Sequence, residues 1–125
     1  MVQHLVTQIH VKSVQLSMEF YQKLGFGVRN EFTPDDQSEP VWAWMQSENA
    51  HIMLALADEP VIPSQQAALF YLYIRDVEST RKTLLQKKIA CGEISFPFYA
   101  ERGIFRVVDP DGYALMMIAR LEPID

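Results

Sequence analysis

Polar and apolar positions nearly alternate from Gln3 to Val11, the period of a strand with one buried face, and the run ends at Ser13, a residue suited to cap a helix. Between Val14 and Leu24 the period changes. Val14, Met18, Tyr21 and Leu24 recur at helical spacing, and Gly25 is a natural stop. Three strands are then predicted, Phe26 to Phe32, Val41 to Gln46 and His51 to Leu56, separated by the polar loop Thr33 to Pro40 and the turn Ser47-Glu48-Asn49. Asp58 to Gln66 carries two prolines and little periodicity, which suits a linker. Beyond it the order repeats. Ala68 to Ile74 is an apolar, aromatic strand leading to the cap residue Asp76, and a helix follows from Val77 to Lys87 or Lys88. Lys88 to Glu93, Ile104 to Val108 and Gly112 to Ala119 are the last three strands. Asp109-Pro110-Asp111-Gly112 joins the final pair, with proline second and glycine fourth as in a type I turn closed by a glycine bulge.

The repetition has a fixed offset. Sliding the chain on itself by 63 residues places Val11-Lys12-Ser13-Val14-Gln15 on Ile74-Arg75-Asp76-Val77-Glu78, and the same shift carries Ile52-Met53-Leu54 onto Leu115-Met116-Met117 without a gap. One offset that fits both ends of a module argues for duplication. The expected organisation is a single domain over residues 1–125, with module one at 1–57, a linker at 58–67 and module two at 68–125.

Composition narrows the functional classes. The 125 residues are 49% hydrophobic and 22% charged, enough for a core without disulfide staples. Eleven Lys and Arg against 16 Asp and Glu leave a net charge of -5, so no basic field attracts phosphate backbones, and nucleic acid is not an expected partner. No run approaches the roughly 18 apolar residues of a membrane span, and the N-terminal residues do not resemble a signal peptide. The single cysteine, Cys91, fits a reducing, cytoplasmic setting.

A duplicated strand-helix-three-strand unit resembles the vicinal oxygen chelate superfamily, which includes glyoxalase I, extradiol dioxygenases and bleomycin-resistance proteins. Val11-Lys12-Ser13-Val14-Gln15-Leu16-Ser17-Met18-Glu19-Phe20-Tyr21, followed by Leu24-Gly25-Phe26, resembles its opening strand-to-helix signature, with Ser13 where that signature usually has aspartate. Asp109-Pro110-Asp111-Gly112-Tyr113 resembles its closing hairpin. The resemblance implies an α+β fold in which two tandem βαβββ modules form a cupped mixed sheet with the helices on the outer face. It also implies four metal-ligand positions, which fall on Val6, Met53, Leu69 and Met116. None offers an oxygen or nitrogen donor, and thioether sulfur is a poor partner for hard or borderline divalent ions. No metal or other cofactor is therefore expected.

Side chains two apart on a strand share a face. The residues expected to line the cup beside Val6, Met53, Leu69 and Met116 are Gln8 and His10, His51 and Ala55, Tyr71 and Tyr73, and Ala114 and Ile118, with Met53 and Met116 filling the space between them. Trp44 shares a face with Trp42, and Phe98 lies between Phe96 and Tyr99 in a loop assigned to the mouth. With the glycine bulge Arg106 lies opposite Met116 and faces inward; a plain two-residue turn would put Phe105 there instead. A buried Arg106 would need an anionic partner, either Glu93, Glu101 or a ligand group. Aromatic walls with few polar groups suit a flat or amphipathic organic ligand.

The expected function is metal-free binding and sequestration of a small hydrophobic or aromatic compound by a homodimer, with modules swapped or unswapped. Two alternatives stay open. One is a lyase, isomerase or dioxygenase-like enzyme of the same fold using Gln8, His10 and His51; the other is a dimerisation domain without a ligand.

Overall fold

The computed structural model describes residues 1–120. The first module contains β1 (Thr7–Val11), α1 (Val14–Lys23), β2 (Gly27–Phe32), β3 (Trp42–Ser47) and β4 (Ala50–Leu56). After a single 3-10 turn at Pro63–Gln65, the second contains β5 (Leu69–Ile74), α2 (Val77–Gln86), β6 (Ile104–Val108) and β7 (Ala114–Ala119). The chain divides into two compact units, Met1–Ile62 and the residues from Pro63 onward. Each is built on its own sheet, giving the α+β class. Among the described residues no helix is long and apolar enough to cross a membrane.

The helices start for the same reason in both units. Ser13 holds extended backbone and its hydroxyl accepts from the Leu16 amide at 3.2 Å; Asp76 does the same for the Ser79 amide at 2.7 Å. Val14, Met18 and Tyr21 bury one stripe of α1, and Val77 and Leu84 bury the corresponding stripe of α2. Each fully buried large apolar side chain contributes roughly 1.5–3 kcal/mol, so packing rather than propensity holds these ten-residue helices. Both helices end in left-handed backbone, at Gly25 (φ 101°) after α1 and at Lys88 (φ 65°) after α2.

In the first sheet the strands run β1-β4-β3-β2, with β1 and β4 parallel and the other pairs antiparallel. In the second they run β5-β7-β6, with β5 and β7 parallel. Gln8 pairs with Met53 and Tyr71 with Met116, so the 63-residue offset survives in the register of the two parallel ladders. Ile9, Val11, Ala43, Met45, Ile52 and Leu54 are buried on the helix side of the first sheet. Phe105, Val107, Leu115 and Met117 are buried in the same way in the second.

Three segments differ from the sequence expectations. The first strand begins at Thr7 rather than Gln3, because β4 begins at Ala50, two residues before Thr7's partner Ile52, and leaves Gln3 and His4 without a strand to pair with. Lys88 to Glu93 is not a strand. Lys88 and Ile89 are taken up in closing α2, their amides donating to Leu85 and Leu84 at 3.0 Å. The chain then meets β6 only where the Gly92 amide donates to Arg106 at 2.8 Å and where Ser95 bridges Ile104. The last strand begins at Ala114, since Gly112 and Tyr113 belong to the turn; residues 121–125, the end of module two, lie outside the described residues.

Candidate functional site

Each sheet has one face turned to its helix and one turned away from it, called the open face below; in the second sheet Ala114, Ile104 and Ile118 are buried on that face, whereas Leu69, Tyr71, Tyr73, Arg106 and Val108 are exposed. On the open face of the first sheet, Gln8, Met53 and Trp44 lie side by side across β1, β4 and β3, with Asn30 of β2 beyond them. His10, Ala55, Trp42 and Phe32 form the next row, and His51 lies beside Gln46. The second sheet has a matching central row of Tyr71, Met116 and Arg106, flanked by Leu69, Ala114 and Val108 and by Tyr73, Ile118 and Ile104. Ala100 packs with Ile104 and Ile118 on this face, against Met116.

Trp44 is fixed from two directions. Its indole N–H donates to His51 Nδ1 at 3.0 Å, and the guanidinium carbon of Arg29 stands 4.2 Å from its ring centroid. When neutral, His51 therefore carries its proton on Nε2, where it is a donor. A second ring, that of His4, meets His51 edge-on at 6.5 Å between centroids. Arg29 reaches this face because the β2–β3 register shifts between Val28 and Asn30, and the bulge re-aims its side chain. Neither Arg29 nor His4 was visible as a site residue in the sequence, since a bulge and a contact from outside a strand leave no periodic trace.

The structure thus groups Gln8, His10, Trp44, His51 and Met53 on one face of the first unit, and Tyr71, Tyr73, Arg106 and Met116 on one face of the second. Tyr71 and Tyr73 are 43% and 55% exposed. Phe98 joins neither set of rows; it is 91% exposed in its loop and meets Tyr99 in a T-shaped contact at 5.3 Å.

The turn before β7 has the glycine-bulge form. Gly112 takes φ 92°, its amide donates to Asp109 O at 3.0 Å, and the Asp109 carboxylate accepts from the amides of Asp111 and Tyr113 at 2.9 Å each. Arg106 accordingly pairs with Met116, whereas Phe105 is buried on the helix side. The carboxylate partners expected for Arg106 are not there. Its side chain is exposed rather than buried, and Glu93 instead pairs with Arg81 at 3.6 Å in a solvated contact of little energetic weight. Glu101 makes no ion pair with it either.

Asp76 and Cys91 titrate away from their ordinary values. The Ser79 backbone and side-chain hydrogen bonds hold the Asp76 carboxyl below 3.8. Burial pushes the Cys91 thiol up from its ordinary value against the opposing charge of Arg81, which favours the protonated thiol over the thiolate at neutral pH.

A divalent ion does not fit the positions that the sequence resemblance assigns to it. Val6, Met53, Leu69 and Met116 supply only hydrocarbon and thioether, and among the described residues no three His, Cys, Asp or Glu side chains converge as a ligand set.

Comparison with known proteins agrees with this architecture. Solved structures with the same fold include a bleomycin-binding protein complexed with bleomycin, 16% identical, with a TM-score of 0.74 and coverage of 95% of this chain and 99% of the other. A bleomycin resistance determinant encoded on the transposon Tn5 is 16% identical, with a TM-score of 0.76 over 97% of this chain and 100% of that one. An antibiotic binding protein from Streptomyces sp. CB03234 is 18% identical, with a TM-score of 0.68 over 95% and 98%. No curated protein sequence matches the chain as a relative. The family model of the Glyoxalase/Bleomycin resistance protein/Dioxygenase superfamily matches residues 2–117, nearly the whole length, and the protein belongs to that superfamily.

Proposed function

We propose that this protein binds and sequesters a small aromatic or hydrophobic compound without a metal and without transforming it. The observation that carries this reading is the make-up of the open sheet faces. Trp42, Trp44 and Met53 on one, and Tyr71, Tyr73 and Met116 on the other, are ring and thioether surfaces left uncovered by either helix. Such groups bind flat ligands by stacking and apolar burial, each aromatic contact adding roughly 0.5–1.5 kcal/mol beyond its area. The donor-poor positions 6, 53, 69 and 116 favour binding over the metal-assisted chemistry known in the superfamily. Structural relatives described as binding bleomycin or another antibiotic support the same ligand class.

In this reading the two modules act as one domain, with Gln8, His10, Trp44, His51, Met53, Tyr71, Tyr73, Phe98, Arg106 and Met116 as ligand contacts. The working unit is a homodimer, with its modules exchanged or not. Val28 and Phe32, exposed on the edge strand β2, are apolar surface that a second copy would cover.

The test is a thermal-shift screen of aromatic natural products, followed by titration of tryptophan emission. A true ligand at 100 times its dissociation constant adds about 2.7 kcal/mol and raises the melting temperature by several degrees. It should also quench Trp44, one of two tryptophans, with most of the signal lost in Trp44→Phe. Failure of a broad library to bind, or turnover of a bound compound, would overturn the reading. Light scattering decides the oligomer: a mass of one chain at micromolar concentration removes the dimer.

A further inference from the structure

The charged groups of this chain are unevenly distributed. Sixteen acidic residues against eleven Lys and Arg make the whole protein anionic, yet no carboxylate occupies a strand position on either open face. Glu31 of β2 and Glu93, in the loop that precedes β6, illustrate the segregation. Glu31 pairs with Ala43, which is buried on the helix side, and Glu93 is drawn to Arg81 of α2. What remains on the open faces is one arginine each. Arg29 stands over the Trp44 ring, in the row that contains Met53; Arg106 lies directly opposite Met116, the residue related to Met53 by the internal repeat. Among the described residues neither guanidinium has a carboxylate partner.

The other polar groups point the same way. His51 donates from Nε2 because Trp44 occupies Nδ1, and Tyr71 and Tyr73, both exposed, carry hydroxyls able to donate. An aromatic cation placed on such a face would meet donors and like charge. An aromatic anion on either face would meet the cation of that face, and a planar guanidinium matches the paired oxygens of a carboxylate or sulfonate.

Building on the ligand-binding reading above, we infer that the open faces select aromatic ligands that carry an anionic group, a carboxylate, sulfonate or phenolate, and that Arg29 and Arg106 are the residues that set this preference. Sequestration by this protein is therefore directed at acidic aromatic compounds rather than at neutral or cationic ones.

A matched pair of dyes tests the inference. 8-Anilinonaphthalene-1-sulfonate and N-phenyl-1-naphthylamine share their rings and differ in the sulfonate. Each is titrated at low and at high salt into the wild-type protein, Arg29→Gln, Arg106→Gln and the double variant, with all four checked for the same cooperative melting transition. The sulfonate is expected to bind on the order of tenfold more tightly than its uncharged counterpart at low salt, and less so at high salt. Each single variant should shrink the ratio of the two affinities, and the double variant should bring it close to one. Equal affinities in the wild type, or a preference that persists in the double variant, overturn the inference and leave ligand binding itself standing. If neither dye binds, the reading beneath it fails as well.

Discussion

The two modules solve the same folding problem with different residues. Module one leaves its helix through Gly25, for which left-handed backbone is free of steric cost; module two asks Lys88 to do so at the equivalent position. Module one closes β3 and β4 with the two-residue turn Glu48-Asn49, and module two uses the longer turn Asp109 to Tyr113 before β7. That longer turn has a chemical consequence. By the 63-residue offset Trp44 corresponds to Val107, but the altered turn places Arg106 opposite Met116, so a cation stands in the row where module one has an indole. A single residue of register thus decides which side chain a duplicated strand shows to the open face.

The comparison can be broken most severely at Gly112. A Cβ there would lie 2.4 Å from the Pro63 Cβ and 2.9 Å from its Cα, on backbone at φ 92°. Gly112→Ala is expected to cost about 3 kcal/mol or more in chemical denaturation, whereas Glu48→Gly, which relieves a positive φ in the other turn, should be neutral or mildly stabilising. The helix caps give a smaller effect. Ser13→Ala should lose about 1 kcal/mol, independent of pH, because a hydroxyl cap carries no charge. Smaller again is Lys88→Gly. Relief of the left-handed strain, roughly 1 kcal/mol, is partly offset by the more flexible unfolded chain, for a net gain of about 0.5 kcal/mol measurable as a raised melting temperature.

The subtlest difference between modules is expected in acid. Asp76 has a folded pKa below 3.8, so its cap contributes fully above that value and the contribution is lost as pH falls through the lower folded value. The stability difference between wild type and Asp76→Asn should therefore shrink on acidification below pH 3.8, while that between wild type and Ser13→Ala stays constant. Parallel shrinkage of both would show that something other than the Asp76 carboxylate is titrating.

Much of the scaffold could be read from residue order. Apolar spacing located both helices to within a residue or two, because Val14, Met18 and Tyr21, and again Val77 and Leu84, mark the buried stripe directly. Strand alternation put Trp42 and Trp44 on one face without saying which, a choice that the pairing of Trp44 with Met53 supplies, and the Asp-Pro-Asp-Gly turn favoured the register that sets Arg106 opposite Met116. What escaped reading depends on the other strand of a pair. The bulge that delivers Arg29 to Trp44 exists only relative to β3, and the apolar Lys88 to Glu93 segment looked like a strand because nothing local reveals that α2 borrows its first two residues for a cap. Sequence offers Glu93 and Glu101 equally as partners for Arg106, and only the fold shows that Glu93 pairs with Arg81.

The parallel ladders also set an order of events for the chain in time. Thr7 meets Ile52, and Leu69 meets Ala114, so each module joins its first strand to its last across the same separation of 45 residues. Closing a loop that long costs roughly 3 kcal/mol plus a constant, whereas the hairpins β3–β4 and β6–β7 close over a few residues. Loop closure alone thus predicts that the hairpins form early and that the arrival of β1 and β5 is the slow, committing step. Because that step also delivers Gln8 and Tyr71 beside Met53 and Met116, the same order predicts that the aromatic faces are completed only at the end of folding.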